Sequence, residues 1–173
     1  DARGTVRIEW REACEAWTAT QRFQLSMAMV DGTISEVLTE YASTESKDGR
    51  GYSFESKTLH NGQVVESYKG AVERAAPGAV GTVRYQDPSS QTLSLPGGVV
   101  FPMQQMAALL TLAEKGGGQI DLSYFDGPRP EDSPFATHTV ISDRRREAGE
   151  GTRRVTAAPF DRPAAGMGTV CEH

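Results

Sequence analysis

The side chains able to do chemistry in this sequence are few: His60, His138 and His173, Cys14 and Cys171, and five methionines. No HxxxH, HxH or CxxC pair occurs, so no two ligand types fall at the spacing that would present them to one metal ion, and no metal site is expected. His60 precedes an Asn61-Gly62 turn, His138 lies in an alternating stretch, and His173 is the last residue. A GxSxG elbow is absent and Cys14 lacks the local signature of a thiol enzyme, which leaves a hydrolase using His60 or His138 as the third reading. Gly116-Gly117-Gly118 follows a helical pattern, whereas a phosphate cradle needs the free N–H groups of a helix N-terminus; this is a C-cap and linker, and no cofactor is expected. Asp126, Glu131 and Asp132 are interleaved with Pro128, Pro130 and Pro134, which breaks the regular oxygen spacing of a calcium loop and predicts a surface loop.

Methionine is the remaining signal. Met27 and Met29 share one strand face, and Met103 and Met106 share a helix. Methionine fills irregular apolar space, so core filling is the plain reading. The sharper one is a pocket between sheet and helix for an acyl chain or apolar peptide, lined by Met27, Met29, Met103, Met106 and Leu110.

The elements that would position these residues can be read from periodicity. Met103, Met106, Ala107, Leu110 and Ala113 form one apolar stripe at helical spacing, widened by Leu109 and Leu112. Pro102 suits the first turn and Lys115-Gly116 the stop, which predicts a helix over 102–115 that should be largely covered. Almost everything else alternates. Strands are expected over 3–10, 17–30, 33–45, 51–57, 63–73, 82–86, 92–95, 119–125 and 135–141. Asp31-Gly32, Lys47-Asp48-Gly49, Asn61-Gly62, Pro77-Gly78 and Asp87-Pro88 supply the turns, and Pro96-Gly97-Gly98 hands the chain to the helix. A strand-turn rhythm this short, interrupted by one helix, makes the fold mainly β: an antiparallel meander curled into a spiral or open barrel around the helix.

The length of 173 residues suits one domain or one domain with a tail. Net charge is −5, which disfavours nucleic acid because phosphate binding needs a positive footprint. No stretch approaches the ~18 apolar residues of a membrane span. The chain begins at Asp1 without an initiator Met, so removal or omission of an N-terminal segment is expected. The sequence divides into a β domain over 1–143 and a Gly/Ala/Arg/Pro-rich stretch over 144–173 that reads as loop or disorder. The two cysteines are either buried thiols or a disulfide tying the termini; the chain-entropy model gives such a bond about 4–5 kcal/mol. Composition leaves both open.

The block Ile8-Glu9-Trp10-Arg11-Glu12-Ala13-Cys14-Glu15-Ala16-Trp17-Thr18, with Gln21-Arg22-Phe23 after it, is distinctive. Together with Glu45–Gly49, Phe54, Leu93, Pro96-Gly97, Phe101-Pro102 and Phe125-Asp126-Gly127 it resembles the EipB family, periplasmic cell-envelope integrity proteins of alphaproteobacteria, over residues 2–142. The resemblance implies a secreted, periplasmic, non-enzymatic protein. Its many-stranded sheet would coil around a helix, similar in outline to the lipoprotein carriers LolA and LolB. Partners implied are periplasmic envelope proteins, lipid or lipoprotein. Family members carry a disulfide from the cysteine of this block to one near the C-terminus. That carries over to Cys14, with Trp10 and Trp17 packing beside it. The residues around Cys171 match no family pattern, so the expectation is either a divergent tail that keeps Cys14–Cys171 or a fragment or shifted reading frame that has lost it. Strands missing at both ends would leave unpaired sheet edges prone to self-association.

Overall fold

The computed structural model describes residues 1–142. Seven long or medium strands follow one another as an antiparallel meander: β1 (Ala2–Glu12), β2 (Ala16–Ala28), β3 (Ile34–Ser46), β4 (Gly51–His60), β5 (Gln63–Arg74), β6 (Gly81–Asp87) and β7 (Gln91–Leu95). Then come β8 (Val99–Val100), helix α1 (Pro102–Glu114), β9 (Gly118–Tyr124) and β10 (Phe135–Ile141), with β10, β9 and β8 making a second, small sheet. The fold class is mainly β with one helix, as the turn rhythm and alternation predict.

Antiparallel partners share a face, so the register defines an inner surface. One row runs Trp10, Ala19, Ser43, Phe54, Gly70, Tyr85 across six strands; a neighbouring row runs Ile8, Gln21, Tyr41, Ser56, Tyr68. The opposite face carries Arg7, Glu9, Arg22, Glu40, Glu55 and Lys69, joined by exposed pairs such as Arg22–Glu40 at 3.3 Å, and is the wet side.

The inner face is covered over only part of its width. Tyr52, Phe54, Val72, Val83, Tyr85 and Leu95 pack against Val99, Phe101 and Phe125, and all nine are buried. Phe101 is fully enclosed, its ring 5.1 Å from that of Tyr52. Burial of one such side chain contributes about 1.5–3 kcal/mol. Gly70 leaves room for this cluster, because a Cβ there would meet the Phe54 ring at 2.7 Å and Arg84 O at 2.9 Å.

Two expectations change. The helix is not largely covered: none of its residues is buried, and Leu110 is 57% exposed. Its half-buried side is Gln105, Ala108, Leu109 and Leu112, while Met106, Ala107, Leu110 and Ala113 face out. Both sets have helical spacing, and periodicity cannot say which one the small sheet receives. The glycines after Leu95 do not lead directly into the helix either. Val99 and Val100 first pair in parallel with Ser123 and Tyr124, so β8–α1–β9 is a crossover unit. A two-residue strand is too short to leave a periodic trace.

Candidate binding cavity

The uncovered part of the inner face holds a half-open cavity of about 380 Å³. Its floor comes from β1 to β5 through Trp10, Gln21, Tyr41, Ser43, Ser56, Thr58, Glu66 and Tyr68. Its roof is Pro102, Tyr124, Asp126, Pro128 and Arg129. A single cavity bordered by five successive strands requires the sheet to curl, since strands lie ~4.8 Å apart and a flat sheet would spread these residues over ~19 Å. The alternation explains why this half is hollow: Ser43, Ser56 and Thr58 stand where the neighbouring row has Tyr52 and Val72.

The roof is held by tyrosines. Tyr41 donates to the backbone oxygen of Asp126 at 2.6 Å, Tyr52 reaches the same oxygen at 3.2 Å, and Tyr85 donates to Gly127 O at 2.8 Å. The Tyr41 and Tyr52 hydroxyls also hydrogen-bond each other. Burial pushes the Tyr41 and Tyr85 phenols up to about 12 and raises those of Tyr52 and Tyr124 further, so all four are neutral at physiological pH. Burial also raises the carboxyl of Asp126 above its ordinary range. Arg129 Nη2 spans both Glu66 carboxylate oxygens, at 2.7 and 2.9 Å.

The helix is anchored at its first turn. Buried Glu45 accepts from the N–H of Met103 at 2.7 Å and of Gln104 at 3.2 Å, serving as a carboxylate cap on orphan donors. Arg74, also buried, donates to Gly49 O, Val99 O and the Gln104 side chain, and its guanidinium lies 4.0 Å over the Phe101 ring. Burial raises the Glu45 carboxyl despite the two N–H donors and Arg74, and burial lowers Arg74.

The residues singled out from sequence disperse. Met27 lies half-buried near the far end of β2, Met29 sits exposed in the β2–β3 turn, and Met106 and Leu110 face solvent. Met103 is tied to Glu45, whose β2 partner is Trp17, a point about 30 Å along the strand from Met27 at ~3.3 Å per residue. The structure therefore does not bring the two methionine pairs together. Cys14 is half-buried in the β1–β2 turn, and Cys171 lies outside the described residues. Trp10 faces the cavity, while Trp17 sits under Lys47, 5.0 Å away. Each described histidine has half of a catalytic set: His60 Nε2 lies 3.0 Å from Ser35 Oγ, and His138 Nδ1 2.6 Å from Asp121, both exposed. The loop at Asp126 is not simply a surface loop, because Phe125 and Gly127 are buried and Asp126 roofs the cavity. No His/Cys/Asp/Glu group suited to a metal occurs among the described residues, and no helix there is long and apolar enough to cross a membrane.

An open, curled antiparallel sheet, sealed at one end by aromatic packing and hollow at the other, defines a β-barrel-like protein with a half-open cavity on its inner face. The chain belongs to the EipB-like family, whose model matches residues 1–162. It is 28% identical over 142 residues to the cell envelope integrity protein EipB of Brucella abortus, covering 82% of this chain and 49% of that protein. A crystal structure of a β-barrel-like protein of a domain of unknown function from Brucella abortus matches with a TM-score of 0.69 and 25% identity, over 79% of this chain and 56% of that one. The chain thus spans about half the length of each relative.

Proposed function

We propose that this chain supports cell-envelope integrity from the periplasm as a non-enzymatic protein, acting through binding or scaffolding at its inner face. Its Brucella abortus relative is a cell envelope integrity protein, which supports the envelope setting. The carrying observation is the continuity of the cavity with an uncovered apolar strip. Val6, Ile8 and Trp10 on β1 and Phe23 on β2 share the cavity's face and are 62%, 43%, 52% and 38% exposed. An apolar surface joined to a lined hollow is how proteins present a ligand site.

A second reading rests on the same strip: a carrier for an acyl chain, a lipopeptide or a lipoprotein. Thermal melts with a fatty acid or a lipopeptide separate the two. A carrier gains stability with ligand and loses that gain in Phe23→Asp; a scaffold for a protein partner shows no shift with either compound. Among the described residues no strand pairs with the outer edge of β1, so self-association there belongs to the scaffold reading.

A further inference from the structure

The charge inside the cavity does not balance. Three charged residues line it: Glu66, Asp126 and Arg129. Arg129 Nη2 donates to both carboxylate oxygens of Glu66, so that pair is internally compensated. The Asp126 backbone oxygen is taken by Tyr41 and Tyr52, and its carboxylate, held by its own backbone N–H, has no charged side-chain partner among the described residues, in a site where burial disfavours its charge. Four aromatic residues share the cavity lining with it: Trp10, Tyr41, Tyr68 and Tyr124, from β1, β3, β5 and β9. An uncompensated carboxylate wants a cation, and aromatic faces attract one through the ring quadrupole. A small hydrated metal ion favours several carboxylate oxygens, and no group of three His, Cys, Asp or Glu suited to a metal occurs among the described residues. A diffuse organic cation fits aromatic walls and one carboxylate. An anionic group would meet Asp126 and find Arg129 already occupied.

We propose that this cavity binds an organic ammonium head group, favouring a quaternary one, while the attached chain lies along Ile8, Val6 and Phe23. The proposal deepens the carrier reading and rests on it. The strip begins at the cavity wall itself: Ile8 and Gln21 are register partners, as are Val6 and Phe23, and Gln21 and Trp10 line the cavity. One amphiphile therefore meets the aromatic cage with its head and the apolar strip with its tail.

The test is calorimetric titration of the full chain with decyltrimethylammonium, decyl maltoside and decyl sulfate, each below its micelle concentration. The cationic probe is expected to bind at least tenfold tighter than the neutral one, and the anionic probe weakest. Asp126→Asn keeps the backbone oxygen that Tyr41 and Tyr52 use; it should erase the tenfold preference and leave maltoside affinity unchanged. For wild type, lowering the pH into the range where Asp126 protonates should weaken only the cationic probe. Glu66 and Arg129 face the same space, and removing that compensated pair together, as Glu66→Gln with Arg129→Gln, should leave the preference in place. Equal affinity for cationic and neutral probes, or a preference that survives Asp126→Asn, overturns the head-group assignment and leaves the carrier reading standing. Failure of all three probes to bind overturns the carrier reading itself.

Discussion

The carboxylate of Glu45, on the third strand, receives the backbone N–H of Met103, at the start of the only α-helix among the described residues, at 2.7 Å. This bond joins the large sheet to the crossover unit, and Arg74 joins the two again through Gln104 and Val99. Replacing Glu45 by Ala should cost about 2–3 kcal/mol, combining a lost cap with buried donors left unpaired. Urea unfolding at pH 7 measures it. Because burial raises the folded-state carboxyl above its unfolded value of 4.5, the folded state holds this proton more tightly. Stability from this group is therefore full below the unfolded value and declines as pH rises through the raised one. Glu45→Gln should flatten the wild-type decline across that window; parallel pH profiles would contradict the assignment.

Gly127 is the tightest point of the roof. Its φ is +103°, and a Cβ would land within the Phe54 ring. Gly127→Ala should destabilise by about 3 kcal/mol, from overpacking and left-handed strain together. Gly62, at φ +77° with open space around it, should lose only about 1 kcal/mol as Ala. Similar losses at both sites would mean the loop can move away from the sheet.

Phe101 and Leu110 sit close in sequence and far apart in burial. Phe101→Ala should cost about 3–5 kcal/mol by opening a void in the aromatic cluster. Leu110→Gln should change stability by less than about 0.5 kcal/mol, as for other exposed positions. A large loss at Leu110 would restore the covered helix that the apolar stripe predicts.

Cys14 and Cys171 are proposed to be joined. Intact mass after alkylation, with and without reductant, should show two protected thiols in a monomer. Two alkylated thiols would leave the β1–β2 turn without that tie.

Much of this fold is legible in the sequence, and particular residues show why. Val6, Ile8 and Trp10 alternate cleanly, and Asp31-Gly32 and Asn61-Gly62 turn with positive φ at both glycines, so register follows from local chemistry. What alternation cannot report is which inner-face positions are filled. Tyr41 and Phe54 look alike in a pattern, yet one borders a cavity and the other lies in the core. The polar neighbours Ser43, Ser56 and Thr58 were the available clue to a hollow. Asp126 could not be found this way, because its placement depends on hydroxyls 74 and 85 residues earlier in the chain. Methionine misled for a related reason: its flexibility suits cores, pockets and surfaces alike, and Met106 is on the surface.

Ligand is proposed to enter the inner face beside Trp10. With Trp17 replaced by Phe, Trp10 becomes the sole indole, and its emission can be followed during titration with decyl maltoside. A saturable blue shift at one ligand per chain, lost in Phe23→Asp, is the predicted result. Emission that stays unchanged while maltoside leaves the melting temperature unmoved would contradict it.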